Sequence, residues 1–78
     1  MIHKEIIVWS KNNCPACTTV KNWLSSKGFL FEERNIDGPV WSKQDLFKSI
    51  PTARSVPQTV VVSEKVFTNL EELRKYLD

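Results

Sequence analysis

The chain has 78 residues, enough for one domain with a modest core, and we expect a single domain over residues 1–78. Hydrophobic residues make up 41% and charged residues 26%, a globular composition that excludes a disordered chain, and the apolar runs are too short to span a bilayer. The formal net charge is only +2 with lysines and arginines scattered, so no basic stripe for nucleic acid is visible. We therefore expect neither nucleic acid nor membrane as a partner.

The N-terminal residues show an acid and a base before a short apolar run and lack a signal-peptide cleavage pattern. We therefore expect a cytoplasmic protein. His3 is interpreted as a surface residue with no catalytic part. Nothing in the sequence indicates an obligate partner chain, so a monomer is expected.

Strands and helices are predicted to alternate along the chain. The first helix has apolar residues near 3.6-residue spacing and a stop at Gly28. The second strand is closed by the turn signal Asp37-Gly38-Pro39. The predicted strands cover residues 5–9, 29–36, 58–62 and 65–67, and the predicted helices cover residues 15–27, 41–50 and 69–77.

This order, βαβ-α-ββα, predicts an α/β fold with a central four-stranded mixed sheet flanked by three helices. The first two strands would be joined by a right-handed crossover helix, and the last two would form a hairpin. Ligands of open sheets bind beyond the carboxyl ends of the strands. Cys14 falls there, at the start of the first helix.

Two cysteines, Cys14 and Cys17, enclose the dipeptide Pro15-Ala16. Thiol–disulfide exchange needs a thiolate, whereas a free cysteine has a pKa of about 8.5. At Cys14 the positive end of a helix and unpaired backbone N–H groups favour negative charge, and Lys11 adds a nearby cation. Pro15 suits the first helical position. We therefore expect a lowered pKa at Cys14, which makes it the attacking nucleophile.

Cys17 lies about one helical turn after Cys14, on the same face of the predicted helix. It can therefore attack a mixed disulfide formed at Cys14 and release the thiol of the substrate. Its place inside the helix should make it more buried and less acidic than Cys14. Cys17 is therefore predicted to be the resolving thiol.

Other uses of two cysteines fit less well. A secreted protein stapled by disulfides would carry more of them, and a structural zinc site needs four ligands, for which His3 is the only further candidate. A buried structural dithiol, a metal or cluster carrier and a non-catalytic binding module stay open as alternatives.

Ser55-Val56-Pro57 stands directly before the third predicted strand. Proline cannot donate to a sheet ladder, so at the first position of a strand it marks a special turn. A cis Val56–Pro57 bond would leave the N–H and C=O of Val56 available to an extended substrate, although most X-Pro bonds are trans.

With both elements in view, the chain resembles the glutaredoxin family, in particular its small bacterial and phage members, over nearly its whole length. The opening pattern of that family, an aromatic residue, Ser, Lys, two variable residues and Cys-Pro-Tyr-Cys, is similar to the segment from Trp9 to Cys17, and its Thr-Val-Pro is similar to Ser55-Val56-Pro57.

The resemblance implies a thioredoxin-like fold, a cis bond at Pro57, and reduction of protein disulfides and of glutathione mixed disulfides. It implies glutathione as co-substrate with no permanently bound cofactor and Lys11 near a glutathione carboxylate. It also implies Ser55, Val56 and Pro57 as binding residues, with the Val56 backbone holding the cysteinyl part of glutathione. It also implies ribonucleotide reductase as a candidate recipient of electrons.

The chain departs from the family pattern in two places. Ala16 replaces a tyrosine at the rim of the site. The late Gly-Gly-x-[Thr/Ser/Asp]-Asp is replaced by residues 65–69, where Lys65 and Val66 carry side chains in place of the glycines. Thr68 and Asn69 keep cap-type residues at a helix start, so they are predicted to retain an anion site for glutathione. The departure weakens the expectation of glutathione binding but not that of dithiol chemistry, and reduction by thioredoxin reductase is the alternative.

Overall fold

The computed structural model describes residues 4–78, so His3 lies outside the described residues. Within them the chain forms four strands and three helices. In chain order these are β1 (Ile6–Ser10), α1 (Pro15–Ser26), β2 (Glu32–Asn35), α2 (Lys43–Ser49), β3 (Gln58–Val61), β4 (Lys65–Phe67) and α3 (Leu70–Leu77). None of the helices in residues 4–78 combines the length and the apolarity that crossing a membrane requires.

The four strands form one sheet in the order β2-β1-β3-β4. Strand β1 runs parallel to β2 and antiparallel to β3, and β4 is antiparallel to β3. The predicted βαβ-α-ββα order and the four-stranded mixed sheet flanked by three helices are therefore confirmed. This is the thioredoxin-like arrangement that the resemblance implied.

The side chains of β1 alternate between two apolar layers, because successive residues of a strand point to opposite faces. Ile6 and Val8 belong to the core shared with α1 and α3. Trp9 belongs to the core shared with α2, and Ile7 packs against it. The sheet is thus covered on both faces, which accounts for the mostly apolar sequence of its central strands.

Helix α1 ends at Ser26, and Gly28 stops it as the sequence predicts. This glycine has φ +82°, and its N–H donates to the Ser25 carbonyl, while the N–H of Phe29 donates to the Leu24 carbonyl at 3.0 Å. These two bonds form a Schellman motif, in which a left-handed glycine closes the helix.

Two predicted elements begin two or more residues before the observed ones. The strand predicted over 29–36 begins only at Glu32, because the Phe29 backbone still closes α1 and Leu30 is 82% exposed. The helix predicted from 41 begins at Lys43, since Ser42 and Asp45 form a capping box before it.

The loops that contain the predicted site residues Lys11, Cys14 and Ser55-Val56-Pro57 lie at one edge of the sheet. Ser10 and Asn35, the last residues of β1 and β2, are paired, and Trp9 pairs with Gln58, the first residue of β3. The loops 11–14, 36–42 and 54–57 therefore meet at this edge, as expected for the carboxyl ends of parallel strands.

Candidate active site

Cys14 is the N-cap of α1, and Pro15 occupies the first helical turn, where its missing N–H costs nothing. The Cys14 backbone is extended, at φ −119° and ψ 95°, and its Sγ accepts a hydrogen bond from the Cys17 N–H at 3.2 Å. The sulfur thus lies at the positive end of the helix dipole.

Cys14 and Cys17 form a disulfide, with their Cα atoms 5.3 Å apart. The two ends of this bond differ in access, because Cys17 is only 1% exposed whereas Cys14 is partly exposed. An incoming thiol or disulfide can therefore reach Cys14, and Cys17 can reach only Cys14. Their assignment as nucleophile and resolving thiol stays a prediction that this geometry suits.

A pocket of about 520 Å³ opens beside Cys14, and we call it the Cys14 pocket. It is lined by Lys11, Asn12, Asn13, Cys14, Pro15, Thr18, Lys21 and Asn35. The predicted cation Lys11 therefore shares a pocket with the predicted nucleophile. Positive charge near a cysteine sulfur favours the thiolate over the thiol.

The loop before Cys14 is anchored by polar contacts to the loop after β2. The Asn12 N–H donates to the Asp37 carboxylate at 3.0 Å, and the Asn35 side chain donates to the Asn12 side-chain carbonyl at 3.1 Å. The N–H of Asp37 in turn donates to the Asn35 side chain at 2.8 Å. Asn13 adopts φ 55°, a left-handed conformation that asparagine tolerates well.

The Val56–Pro57 peptide bond is cis, and Pro57 is buried. The buried Gln58 side chain donates to the Ser55 carbonyl at 2.8 Å, which holds the turn, and its own Oε1 has no partner within residues 4–78. Within residues 4–78, the backbone of Val56 makes no hydrogen bond to another residue. Its N–H and C=O therefore remain available to a ligand.

A second pocket, of about 410 Å³, lies between α2 and the Ser55–Val56 turn, and we call it the α2 pocket. Its lining residues are Lys11, Asn12, Ile36, Asp37, Lys43, Leu46, Phe47, Arg54, Ser55 and Val56. The structure thus brings together three predicted binding residues, Lys11, Ser55 and Val56. Lys11 and Asn12 also line the Cys14 pocket, so the two pockets share a wall.

Thr68 and Asn69 line neither of these pockets. Asn69 caps α3, and its side chain accepts a hydrogen bond from the Glu72 N–H at 2.9 Å. Because Phe67 pairs with Thr59, Thr68 follows β4 at the same edge of the sheet as Pro57. Their predicted contact with glutathione stays a prediction.

Lys21 adds a second cation to the Cys14 pocket, but this one is paired. Its Nζ lies 2.7 Å from the Glu33 carboxylate, which also accepts a hydrogen bond from the buried Ser10 hydroxyl at 2.8 Å. The hydrogen bond from Lys21, followed by that from Ser10, lowers the pKa of Glu33 below its usual value. The charge of Lys21 is therefore largely neutralised by Glu33, whereas Lys11 forms no ion pair within residues 4–78.

Three residues of the site have no function predicted from the sequence. Asn12 stands at a variable position of the motif, Asp37 is typical of any turn, and Gln58 is polar in an otherwise apolar strand. The polar glutamine at a buried strand position is the one sign that could have indicated a role, because such a side chain needs a partner.

The comparisons with known proteins bear on this site directly. The family model described as Glutaredoxin matches residues 6–67. The chain belongs to the glutaredoxin family. The matched segment contains Cys14, Cys17 and the Ser55-Val56-Pro57 turn, and family membership together with this cysteine pair supports the prediction of a thiol–disulfide oxidoreductase.

Three similar proteins illustrate the range of the family. Glutaredoxin 3 of Escherichia coli K12 is 32% identical over 62 residues, which are 80% of this chain and 74% of that protein. Glutaredoxin-like protein NrdH of Lactococcus lactis is 53% identical over 32 residues, or 41% of this chain, and the match covers only 44% of that relative's length. The structure of the glutaredoxin-like NrdH-redoxin of Escherichia coli superposes with a TM-score of 0.75 at 19% identity, covering 95% of each chain, and this shows a shared fold.

Proposed function

We propose that the protein is a dithiol oxidoreductase that reduces protein disulfides and glutathione mixed disulfides, with Cys14 as nucleophile and Cys17 as resolving thiol. The observation that carries the proposal is the pairing of a partly exposed Cys14 at the N-cap of α1 with a buried Cys17 in one disulfide. The fold therefore holds the oxidised end state of the proposed reaction.

The reaction starts from the reduced dithiol. The Cys14 thiolate attacks one sulfur of the substrate disulfide, a new sulfur–sulfur bond joins Cys14 to that sulfur, and the other substrate sulfur leaves as a thiolate that takes up a proton. Cys17 then loses its proton and attacks the Cys14 sulfur, which releases the second substrate thiol. Two electrons have passed to the substrate, and the Cys14–Cys17 disulfide remains.

Positioning of the substrate falls to the Ser55-Val56-Pro57 turn. The unpaired N–H and C=O of Val56 can form two hydrogen bonds with an extended backbone, in the manner of an added strand. Lys11 lines the Cys14 pocket and can contact a carboxylate of the substrate. Thr68 and Asn69, at the same edge of the sheet, are proposed to contact the γ-glutamyl end of glutathione.

Glutathione is the proposed reductant of the disulfide form. Two molecules would be oxidised to glutathione disulfide for each protein disulfide reduced, so that atoms and electrons balance. This part of the proposal rests on the family and on the similarity to glutaredoxin 3.

Reduction by thioredoxin reductase is the second candidate, and a specific observation favours it. Lys65 and Val66, which stand where the family pattern has its two glycines, lie on β4 with exposed side chains, so the side-chain-free backbone of that pattern is absent here. The NrdH-redoxin of Escherichia coli, which shares the fold, is described by its thioredoxin-like activity profile. Ribonucleotide reductase as a recipient of electrons, and a cytoplasmic location, are proposed on the sequence resemblance and cysteine usage.

Two cysteine variants test the mechanism. Cys14→Ser should abolish reduction of insulin disulfides and of a glutathionylated peptide, because no nucleophile remains. Cys17→Ser should lose insulin reduction but retain part of the deglutathionylation, which needs one thiol when glutathione resolves the intermediate. Full activity of Cys14→Ser would end this mechanism.

The electron source is tested separately with the oxidised wild-type protein. Reduction by glutathione with its reductase supports the first candidate, and reduction by thioredoxin reductase with NADPH supports the second. A protein that neither system reduces, and that reacts sluggishly with disulfides, would be a binding module of the same fold.

A further inference from the structure

We infer that the α2 pocket recognises an acidic and apolar segment of a protein substrate, next to the cysteine that Cys14 attacks. The inference rests on the proposed function and adds to it the class of protein substrate. The residues that would carry it, Lys43 and Phe47 on α2 and Arg54 before the turn, have no part in the chemistry of the cysteines.

The charges of the α2 pocket are the first observation. Lys11, Lys43 and Arg54 line it, and none of them forms an ion pair within residues 4–78. The lining includes a single acid, Asp37, whose carboxylate accepts the Asn12 N–H. A small cleft with three unpaired cations and one engaged carboxylate attracts negative charge.

The apolar wall is the second observation. Phe47 is 43% exposed, although it follows the buried Leu46 and lies in a short helix with an otherwise polar outer face. Together with Ile36 and Val56 it gives the pocket an apolar side. Glutathione has two carboxylates but no large apolar side chain to cover a phenylalanine, whereas a protein segment can supply one.

The position of the pocket is the third observation. Val56 lines it and offers an unpaired backbone, and Lys11 and Asn12 form the wall that it shares with the Cys14 pocket. An extended segment bound at Val56 with its cysteine at Cys14 would continue into the α2 pocket. The residues within a few positions of that cysteine are therefore the ones selected.

The test uses the reduced full-length protein and peptides of equal length, each with one cysteine joined to mercaptoethanol as a mixed disulfide. The peptides differ only in two flanking residues, which are Glu and Leu, Gln and Leu, Glu and Ser, or Lys and Ser. The Glu-Leu peptide should react about tenfold faster than the Lys-Ser peptide at low ionic strength, with the other two between them. The charge-dependent part should shrink as salt is added.

Variants locate the preference on α2. Lys43→Gln should reduce the advantage of Glu over Gln, and Phe47→Ala should reduce that of Leu over Ser, with rates expressed relative to hydroxyethyl disulfide for the same variant. Lys48→Gln is the matched charge control, because Lys48 is exposed on the same helix but does not line the pocket. Leu30→Ala is the apolar control, since Leu30 is 82% exposed and lies away from the pocket.

Equal rates for the four peptides would overturn the inference, as would equal loss of preference in Lys43→Gln and Lys48→Gln. Failure of the proposed function looks different, because the protein would then reduce neither the peptides nor hydroxyethyl disulfide. Reduction of hydroxyethyl disulfide without a preference among peptides would leave the oxidoreductase intact and remove only the substrate class.

Discussion

The two ends of the sheet differ in whether their lysines form ion pairs. At the end away from Cys14, Lys4 lies 2.9 Å from the Glu64 carboxylate, which also accepts a hydrogen bond from the Tyr76 hydroxyl. At the Cys14 end, Lys11 and Lys43 line pockets and have no ion-pair partner within residues 4–78. One end pairs its charges within the chain, and the other leaves positive charge available to a ligand.

The difference separates the charges that are paired within the fold from those that can act on a ligand. Exposed ion pairs contribute little to the free energy of unfolding, and once paired they present little charge to a ligand. Unpaired cations create a local potential that draws in anions. Charge changes among the unpaired cations at the Cys14 end should therefore affect reactivity, and those at the other end should leave reactivity unchanged.

The largest expected effect is that of Lys11→Glu. Reversing this charge should raise the pKa of Cys14 and slow the reaction with anionic disulfides about tenfold at low salt, on the order of 1 kcal/mol in activation free energy. The urea midpoint should stay close to that of the wild type. Lys48→Glu, with the same charge change outside the pockets, should leave the rate unaltered, and an equal effect of both variants would contradict the comparison.

Asp37→Ala should lower both stability and reactivity, because the Asp37 carboxylate anchors the loop before Cys14 through the Asn12 N–H. Loss of that hydrogen bond should cost about 1 kcal/mol in the free energy of unfolding, and the loosened loop should lower the rate with hydroxyethyl disulfide several-fold, roughly as one hydrogen bond is worth. Urea denaturation and stopped-flow kinetics measure the two effects. Asp37→Asn keeps an acceptor and should recover most of both; no recovery would refute the anchoring role.

Tyr76 reports on the opposite end of the sheet, since it is the only tyrosine in the chain. Its hydrogen bond to Glu64 raises the pKa of the phenol above its usual 10.0, while the Tyr76 and Lys4 contacts lower the pKa of Glu64. The neutral phenol is therefore stabilised by folding below pH 10, and this stabilisation is lost as the pH rises through the folded pKa.

A spectrophotometric titration of the phenolate should thus show a midpoint above 10.0 in the wild type. Glu64→Gln should move the midpoint down towards that value without changing disulfide reduction. An unchanged midpoint in Glu64→Gln would show that the pair does not form in solution.

Glu33→Gln should give the smallest effect, a change in the pH dependence of stability. Because folding lowers its pKa below 4.5, its contribution to stability is complete above that pH and is lost as the pH falls through the folded value. The pair with Lys21 is partly exposed, so after allowance for solvent screening about 0.2–1 kcal/mol is expected. Urea midpoints compared at successively lower pH should converge for the wild type and Glu33→Gln; parallel curves would contradict the assignment.

The fold could be predicted from the sequence because its signals are local. Gly28 is the residue that closes α1, and Pro15 marks the first turn of that helix. The order of elements then permits few sheet topologies. Boundaries were less predictable, as at residues 29–31, where the Phe29 backbone completes the helix cap instead of joining the strand.

The site could be predicted only where its residues are close in sequence or form a known motif. Cys14 and Cys17 are one turn apart, and Ser55-Val56-Pro57 is a compact signal. Helical spacing places Phe47 near the side of α2 that carries Leu46 and Ile50, yet Phe47 is 43% exposed and lines the α2 pocket. Nothing in the local sequence distinguishes a phenylalanine of the core from one that faces a cleft.

The ionisation of Cys14 is the claim on which the whole account depends. The rate of alkylation of reduced Cys17→Ser protein by iodoacetamide, followed against pH, measures it without interference from a second thiol. The position of Cys14 at the N-cap of α1, in a pocket shared with Lys11, predicts a midpoint well below the value of about 8.5 for a free cysteine. A midpoint at or above that value would contradict the account.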